Sequence, residues 1–96
     1  MKTIHIFEET GVFAENKDVA KSIRIQGIMP ALEKKERVVV DFRRVEAATQ
    51  SFIHALISEI LRKYGVEILD RIEFKGCTIK VKKIIEIVVD YMQESM

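Results

Sequence analysis

The stretch Val38–Ile57, VVVDFRRVEAATQSFIHALI, decides the fold. Three consecutive valines bounded by charged residues predict a strand covered on both faces, as in the middle of a parallel sheet. From Phe52 to Tyr64 the apolar residues recur at helical spacing, and Gly65 predicts the C-terminal end of that helix. Between strand and helix lie the polar residues 49–51, which are typical of a helix N-terminus.

The N-terminal third of the chain predicts a strand followed by a helix. Residues 3–7, TIHIF, alternate as a half-buried strand does, and we expect residues 12–14 to pair back on it. Asn16 is a suitable N-cap for a helix that begins at Lys17. Pro30 should kink or interrupt this helix because proline lacks the amide proton that a helix interior requires.

The C-terminal third predicts a further strand at RIEF, residues 71–74, and a last helix capped by Thr78. The order β(β)αβαβα predicts a small α/β fold, a mostly parallel open sheet with helices packed against it. No linker rich in glycine, proline or serine divides the chain, so we expect a single domain over residues 1–96.

Composition narrows the classes of function. The 96 residues carry a net charge of +1, so no global electrostatic attraction towards nucleic acid or membrane exists. No apolar run approaches the roughly 18 residues that span a bilayer. The two histidines and the lone Cys77 give no metal-ligand spacing, and we expect no metal or other cofactor. Cys77 has no disulfide partner, which favours a cytoplasmic location, and we interpret it as a small buried residue.

Residues 35–92 resemble the STAS-like domain family of unknown function. The motifs that carry the resemblance are VVVDFRRVEAATQSF, residues 38–52, and RIEFKGCTIKVKKIIEIV, residues 71–88. The wider superfamily includes domains of sulfate transporters and of anti-sigma-factor antagonists. The resemblance implies a partner-binding module, in which a serine at the position of Ser51 is phosphorylated by a partner kinase. Thr49 stands where the antagonists usually have aspartate, and Phe52 where they have glycine.

The residues at the helix start allow two interpretations of their own. Thr49 can cap the helix and Ser51 then lies in the first turn, near unsatisfied amides and the positive end of the helix dipole. A phosphate on Ser51 would be stabilised there, and Arg43 and Arg44 could reach it if the loop folds back. The alternative is that Thr49 and Ser51 only cap the helix.

Catalysis has little support in the sequence. Ser51, His54 and Ser58 recur at spacings of three and four residues, which places them on one polar helix face. No nucleophile-elbow glycines surround Ser51 and no acidic residue orients His54, so the pair lacks the arrangement of a hydrolase. We therefore expect no enzymatic activity.

Basic residues suggest a second kind of site. If the two strands are parallel, the loops that follow them share the carboxyl edge of the sheet, where open α/β sheets bind ligands. An anion- or nucleic-acid-binding module would use the cations of these loops and of the last helix, although they can equally be solvated charges balanced by nearby acids. These cations are Arg43, Arg44, Lys75, Lys80, Lys82 and Lys83.

Our sequence-based prediction is a non-enzymatic regulatory module. It should contact a protein partner, such as a kinase-like ATPase or a transcription regulator, through the edge from Arg43 to His54. The contact residues would include Thr49, Gln50, Ser51 and His54. We do not expect nucleic acid or membrane as the partner, and the sequence leaves self-association open.

Overall fold

The computed structural model describes residues 1–95 and contains five strands and five α-helices in that range. In chain order these are β1 (Lys2–His5), α1 (Ile6–Thr10), β2 (Phe13–Ala14), α2 (Lys17–Ile23), α3 (Met29–Glu33), β3 (Val38–Asp41), β4 (Ala47–Ala48), α4 (Gln50–Tyr64), β5 (Ile72–Lys75) and α5 (Ile79–Ser95). A π-helical turn, Arg24–Ile28, joins α2 to α3, and a 3₁₀ helix, Val66–Arg71, precedes β5. The prediction of an α/β fold with a parallel open sheet is confirmed.

The main sheet has three parallel strands in the order β1-β3-β5. The strand with the three valines is therefore central, as predicted. Its last residue, Asp41, lies opposite His5 of β1 and Lys75 of β5. Because the strands are parallel, the segments that leave all three begin at the same carboxyl edge.

The expectation of helices on both faces of β3 is wrong. Side chains alternate between the two faces of a strand, so Val39 and Asp41 share one face. On the neighbouring strands the side chains of that face, Thr3, His5, Glu73 and Lys75, are exposed. Val38 and Val40, on the other face, belong to the hydrophobic core, whereas Val39 does not. Val39 is buried by neighbouring side chains and not by a helix. Its burial therefore gives the same run of valines that a strand between two helical layers would have.

Three helices pack side by side, with α4 between α2 and α5. The apolar stripe of α4 predicted from the sequence is buried, and removal of such side chains from water stabilises the fold by about 1.5–3 kcal/mol each. Its buried apolar residues are Phe52, Ile53, Leu56, Ile57, Ile60 and Leu61. This layer holds the start of α4 close to the start of α2.

The predicted helix ends are confirmed. The sequence predicts them well because they depend on hydrogen bonds between residues close in the chain. Asn16 Oδ1 accepts from the amides of Asp18 and Val19, at 2.9 and 3.3 Å. Gly65 ends α4 with a φ of +81°, a left-handed conformation that favours glycine. Thr78 Oγ1 accepts from the Val81 amide at 3.2 Å and caps α5.

Two local predictions for the first half of the chain have different outcomes. The helix from Lys17 is interrupted by the π-helical turn Arg24–Ile28 and resumes as α3, in whose first turn Pro30 lies. The expected return of residues 12–14 to the first strand is wrong, since β2 pairs in parallel with β4. The short helix α1 turns the chain away after β1, which leaves β2 beside the segment that leads into α4.

Candidate functional site

An ionic cluster occupies the carboxyl end of the central strand. The Asp41 side chain is only 2% exposed. Its Oδ1 accepts from the Arg43 backbone amide at 2.8 Å, and its Oδ2 accepts from Arg43 Nη2 at 2.7 Å and from Nε at 2.9 Å. His5 Nδ1 lies 3.5 Å from the same Oδ2. The hydrogen bond from the Arg43 side chain holds the pKa of Asp41 below its ordinary value, against the opposing effect of burial. Asp41 is therefore an ionised and satisfied carboxylate.

The loops that leave β3 and β5 are in tight contact around Arg43. The Phe42 amide donates to the Lys75 carbonyl at 2.7 Å. A Cβ on Gly76, which has a φ of +69°, would lie 2.3 Å from Arg43 Cγ. Only glycine fits there without displacing Arg43, so the loop and the ion pair support each other.

Both arginines of the strand-to-helix loop have partners within the protein. The charge of Arg43 is matched by Asp41. The Arg44 guanidinium carbon lies 4.1 Å from the centre of the Phe7 ring, a cation–π contact. A cleft of about 320 Å³ at this edge is lined by His5, Phe7, Glu8, Asp41, Arg43 and Arg44. Neither arginine lines the cleft beside Ser51, so the loop does not bring them to that serine.

At the N-terminus of α4 one polar residue caps the helix and the next two are exposed. Thr49 Oγ1 accepts from the Phe52 amide at 3.1 Å, and the Thr49 amide donates to the Ala14 carbonyl at 2.9 Å. These bonds leave Thr49 half-buried, whereas Gln50 and Ser51 are exposed. The first turn of α4 contains no acidic residue. Phe52 is fully buried, so its side chain does not cover Ser51.

An open cleft of about 500 Å³ lies beside Ser51. It is lined by Lys17, Gln50, Ser51, His54 and Ala55. Lys17 comes from the start of α2, and the packing of α2 against α4 brings it here. We did not single out Lys17 in the sequence, because no local pattern places it beside a residue 34 positions further along the chain.

The other polar residues of α4 do not form a catalytic group. Ser58 is only 3% exposed, so the prediction that it shares the polar face with Ser51 and His54 is wrong. Helical spacing places Ser58 beside His54 but does not reveal which side of α4 the rest of the fold covers. His54 is half-buried and contacts Tyr91 edge-on, with ring centroids 6.4 Å apart.

The four lysines of the predicted anion site are exposed and form no ion pair with any residue of 1–95. They are Lys75, Lys80, Lys82 and Lys83. Cys77, beside them, is half-buried, and burial raises the pKa of its thiol. The thiol is therefore neutral at pH 7 and not an activated nucleophile.

Neither a metal site nor a membrane-spanning helix is found in the part of the chain that the structure describes. Over residues 1–95, no three acidic, histidine or cysteine side chains are grouped closely enough to hold a metal ion. Over the same residues, no helix combines the length and the apolar character needed to cross a membrane.

These features define a small α/β domain whose polar helix start follows a central parallel strand. The sequence pattern of the STAS-like domain of unknown function matches residues 19–82, two thirds of the chain. The chain belongs to this family. The match begins within α2, earlier than the resemblance seen in the sequence, and ends in the first turn of α5. No curated protein and no solved structure matches the chain.

Proposed function

We propose that this STAS-like domain is a non-enzymatic regulatory module that binds a protein partner through the surface around the N-terminus of α4. The observation that carries the proposal is the exposure of Gln50 and Ser51 beside an open cleft, on a helix start that Thr49 holds in place. A rigid, capped helix presents side chains to a partner with little loss of entropy on binding.

We further propose that phosphorylation of Ser51 switches this contact. A phosphate there would lie in the first turn of a 15-residue helix, where the dipole and free amides favour negative charge. Lys17 lines the same cleft and supplies a cation within the protein. The first turn holds no acidic residue that would repel the phosphate. The added charge would leave the domain folded and change what the partner meets.

The partner we propose is a kinase-like ATPase or a transcription regulator, in a reducing cytoplasm where Cys77 has no need of a disulfide partner. The alternative, anion or nucleic-acid binding at the carboxyl edge, has weaker support. Asp41 neutralises Arg43, and Arg44 is held against Phe7. The lysines that remain would give few phosphate contacts and a shallow dependence of affinity on salt.

Affinity capture with Ser51 variants tests the proposal. Tagged wild-type protein, Ser51→Ala and Ser51→Asp would be used as baits in extract from the source cell, with and without phosphatase treatment. We expect one protein to be retained by Ser51→Ala and by the phosphatase-treated wild type, and lost with Ser51→Asp. Retention of the same proteins by all three baits would contradict the switch, and recovered nucleic acid would favour the alternative.

A further inference from the structure

Three large apolar side chains are exposed around one short backbone segment, Glu46–Ala47. They are Val12, Phe13 and Ile79, which are 53%, 46% and 76% exposed. We call these three residues the apolar patch. In the sequence Ile79 is far from the adjacent pair Val12 and Phe13, and none of the three belongs to the hydrophobic core.

Hydrogen bonds and strand pairing bring the patch together. The Val12 carbonyl accepts from the Glu46 amide at 2.8 Å, and Phe13 lies opposite Ala47 in the β2–β4 pair. Thr78 Oγ1 donates to the Glu46 carbonyl at 3.0 Å, which places Ile79 beside the same segment. The patch therefore sits on a fixed backbone and adjoins the start of α4, which begins three residues after Ala47.

The charge around the patch is predominantly positive. Lys83 neighbours both Ile79 and Lys80 on α5, because residues three and four apart lie side by side on a helix. Lys17 lies in the cleft beside Ser51. Two exposed carboxylates, Glu15 and Glu46, oppose these three cations. Neither carboxylate forms an ion pair with any residue of 1–95, and the same is true of the three cations, whereas Arg44 is held against Phe7.

We infer that the apolar patch is the centre of the contact surface and that its occupant is an acidic, amphipathic segment of the partner protein. An apolar centre with a charged rim is the usual anatomy of a protein interface. The basic rim selects a partner segment with carboxylates around its apolar side chains. This inference rests on the proposed partner-binding function and names the chemistry of the partner. It also explains the direction of the switch, since a phosphate on Ser51 would repel an acidic segment.

Synthetic helical peptides provide the probe. One carries leucines on one face and glutamates on the other; a second replaces the glutamates with lysines, and a third replaces the leucines with serines. In fluorescence anisotropy with the full chain, we expect the first peptide to bind at least about tenfold more tightly than either control. Equal binding of the three peptides would overturn the inference.

Variants of the protein locate the binding. Ile79→Asp should weaken binding of the leucine–glutamate peptide about tenfold or more, since apolar side chains at the centre of an interface carry most of its affinity. Ile87→Asp is the matched control, on the same helix at 48% exposure, and should leave binding unchanged. Lys80→Glu combined with Lys83→Glu should reverse the preference between the glutamate and lysine peptides. Equal effects of Ile79→Asp and Ile87→Asp, or no reversal, would overturn the inference.

The two proposals fail in different ways. If Ser51 variants change capture of a native partner but Ile79→Asp does not, the partner-binding function stands. The inference that the apolar patch is the centre of the contact surface is then wrong. If the peptides discriminate as expected but Ser51 variants leave native capture unchanged, the patch stands and the switch is wrong.

Discussion

Two regions follow the central strand, and they use their polar groups in opposite ways. At Asp41 the charge is paired within the protein: the buried carboxylate accepts hydrogen bonds from Arg43, whose side chain is 61% exposed, and His5 lies 3.5 Å away. Eight to ten residues further along, at the start of α4, the cap of Thr49 is internal but Gln50 and Ser51 face solvent. Both regions look equally polar in the sequence. The difference shows that polar side chains can contact a partner only when hydrogen bonds within the protein do not already occupy them.

The largest expected effect is at Gly76, which closes the internal region. Gly76→Ala should destabilise the fold by about 1–3 kcal/mol from backbone strain at positive φ. Overpacking against Arg43 should add roughly another 1–3 kcal/mol. Urea unfolding measures the sum. Gly11→Ala is the control, because Gly11 also has positive φ but a Cβ there would meet nothing within 4 Å. Equal losses for the two variants would show that the contact with Arg43 has no energetic weight.

The next effect concerns the ion pair. Asp41→Asn should cost about 1.5–3 kcal/mol at neutral pH, since hydrogen bonds to a charged group are lost. The pKa of Asp41 is lowered in the folded protein, so the stabilisation is complete above about pH 5 and is lost as the pH falls through the folded-state pKa. The difference in unfolding free energy between wild type and Asp41→Asn should therefore shrink in acid. A difference that stays constant down to pH 2 to 3, where ordinary carboxylates are mostly protonated, would argue against the ion pair as its source.

A smaller effect is expected at the cap of α4. Thr49→Ala should lower the free energy of unfolding by about 1 kcal/mol, because the Phe52 amide loses its acceptor. Ser51→Ala, two residues away and exposed, should change it by less than about 0.5 kcal/mol. If the two substitutions cost the same, Ser51 has a structural role that its exposure does not indicate.

The smallest effect on stability is expected for Ser51→Asp. A carboxylate in the first turn of α4 should raise the free energy of unfolding by about 0.3–1 kcal/mol at low salt. High salt should remove this gain by screening. Thermal unfolding at the two ionic strengths checks both points. A marked loss of stability would mean that the position cannot accept negative charge, and would contradict its proposed modification.

Sequence patterns predicted the features that depend on neighbouring residues. The caps at Asn16, Thr49 and Thr78 and the end at Gly65 each involve groups within four positions along the chain. The central strand was predictable as well, because its unbroken valines require burial whichever elements provide it.

The features that were missed depend on residues distant in sequence. The pairing of β2 with β4 and the approach of Lys17 to Ser51 follow from packing of the whole chain. For the same reason the run of valines indicates a second helical layer, although neighbours on the sheet bury Val39. Proximity in sequence suggests that Arg43 and Arg44 reach Ser51, but Asp41 and Phe7 hold them elsewhere.

The central claim is that the start of α4, and not the ionic cluster at Asp41, meets the partner. Amide chemical-shift mapping by NMR tests it most directly, with isotope-labelled protein titrated with the partner recovered by Ser51→Ala. We predict shifts over residues 12–13, 46–54 and 78–83, with little change at Asp41 and Gly76. Shifts confined to the ionic cluster and its cleft, with the α4 start unaffected, would contradict the account.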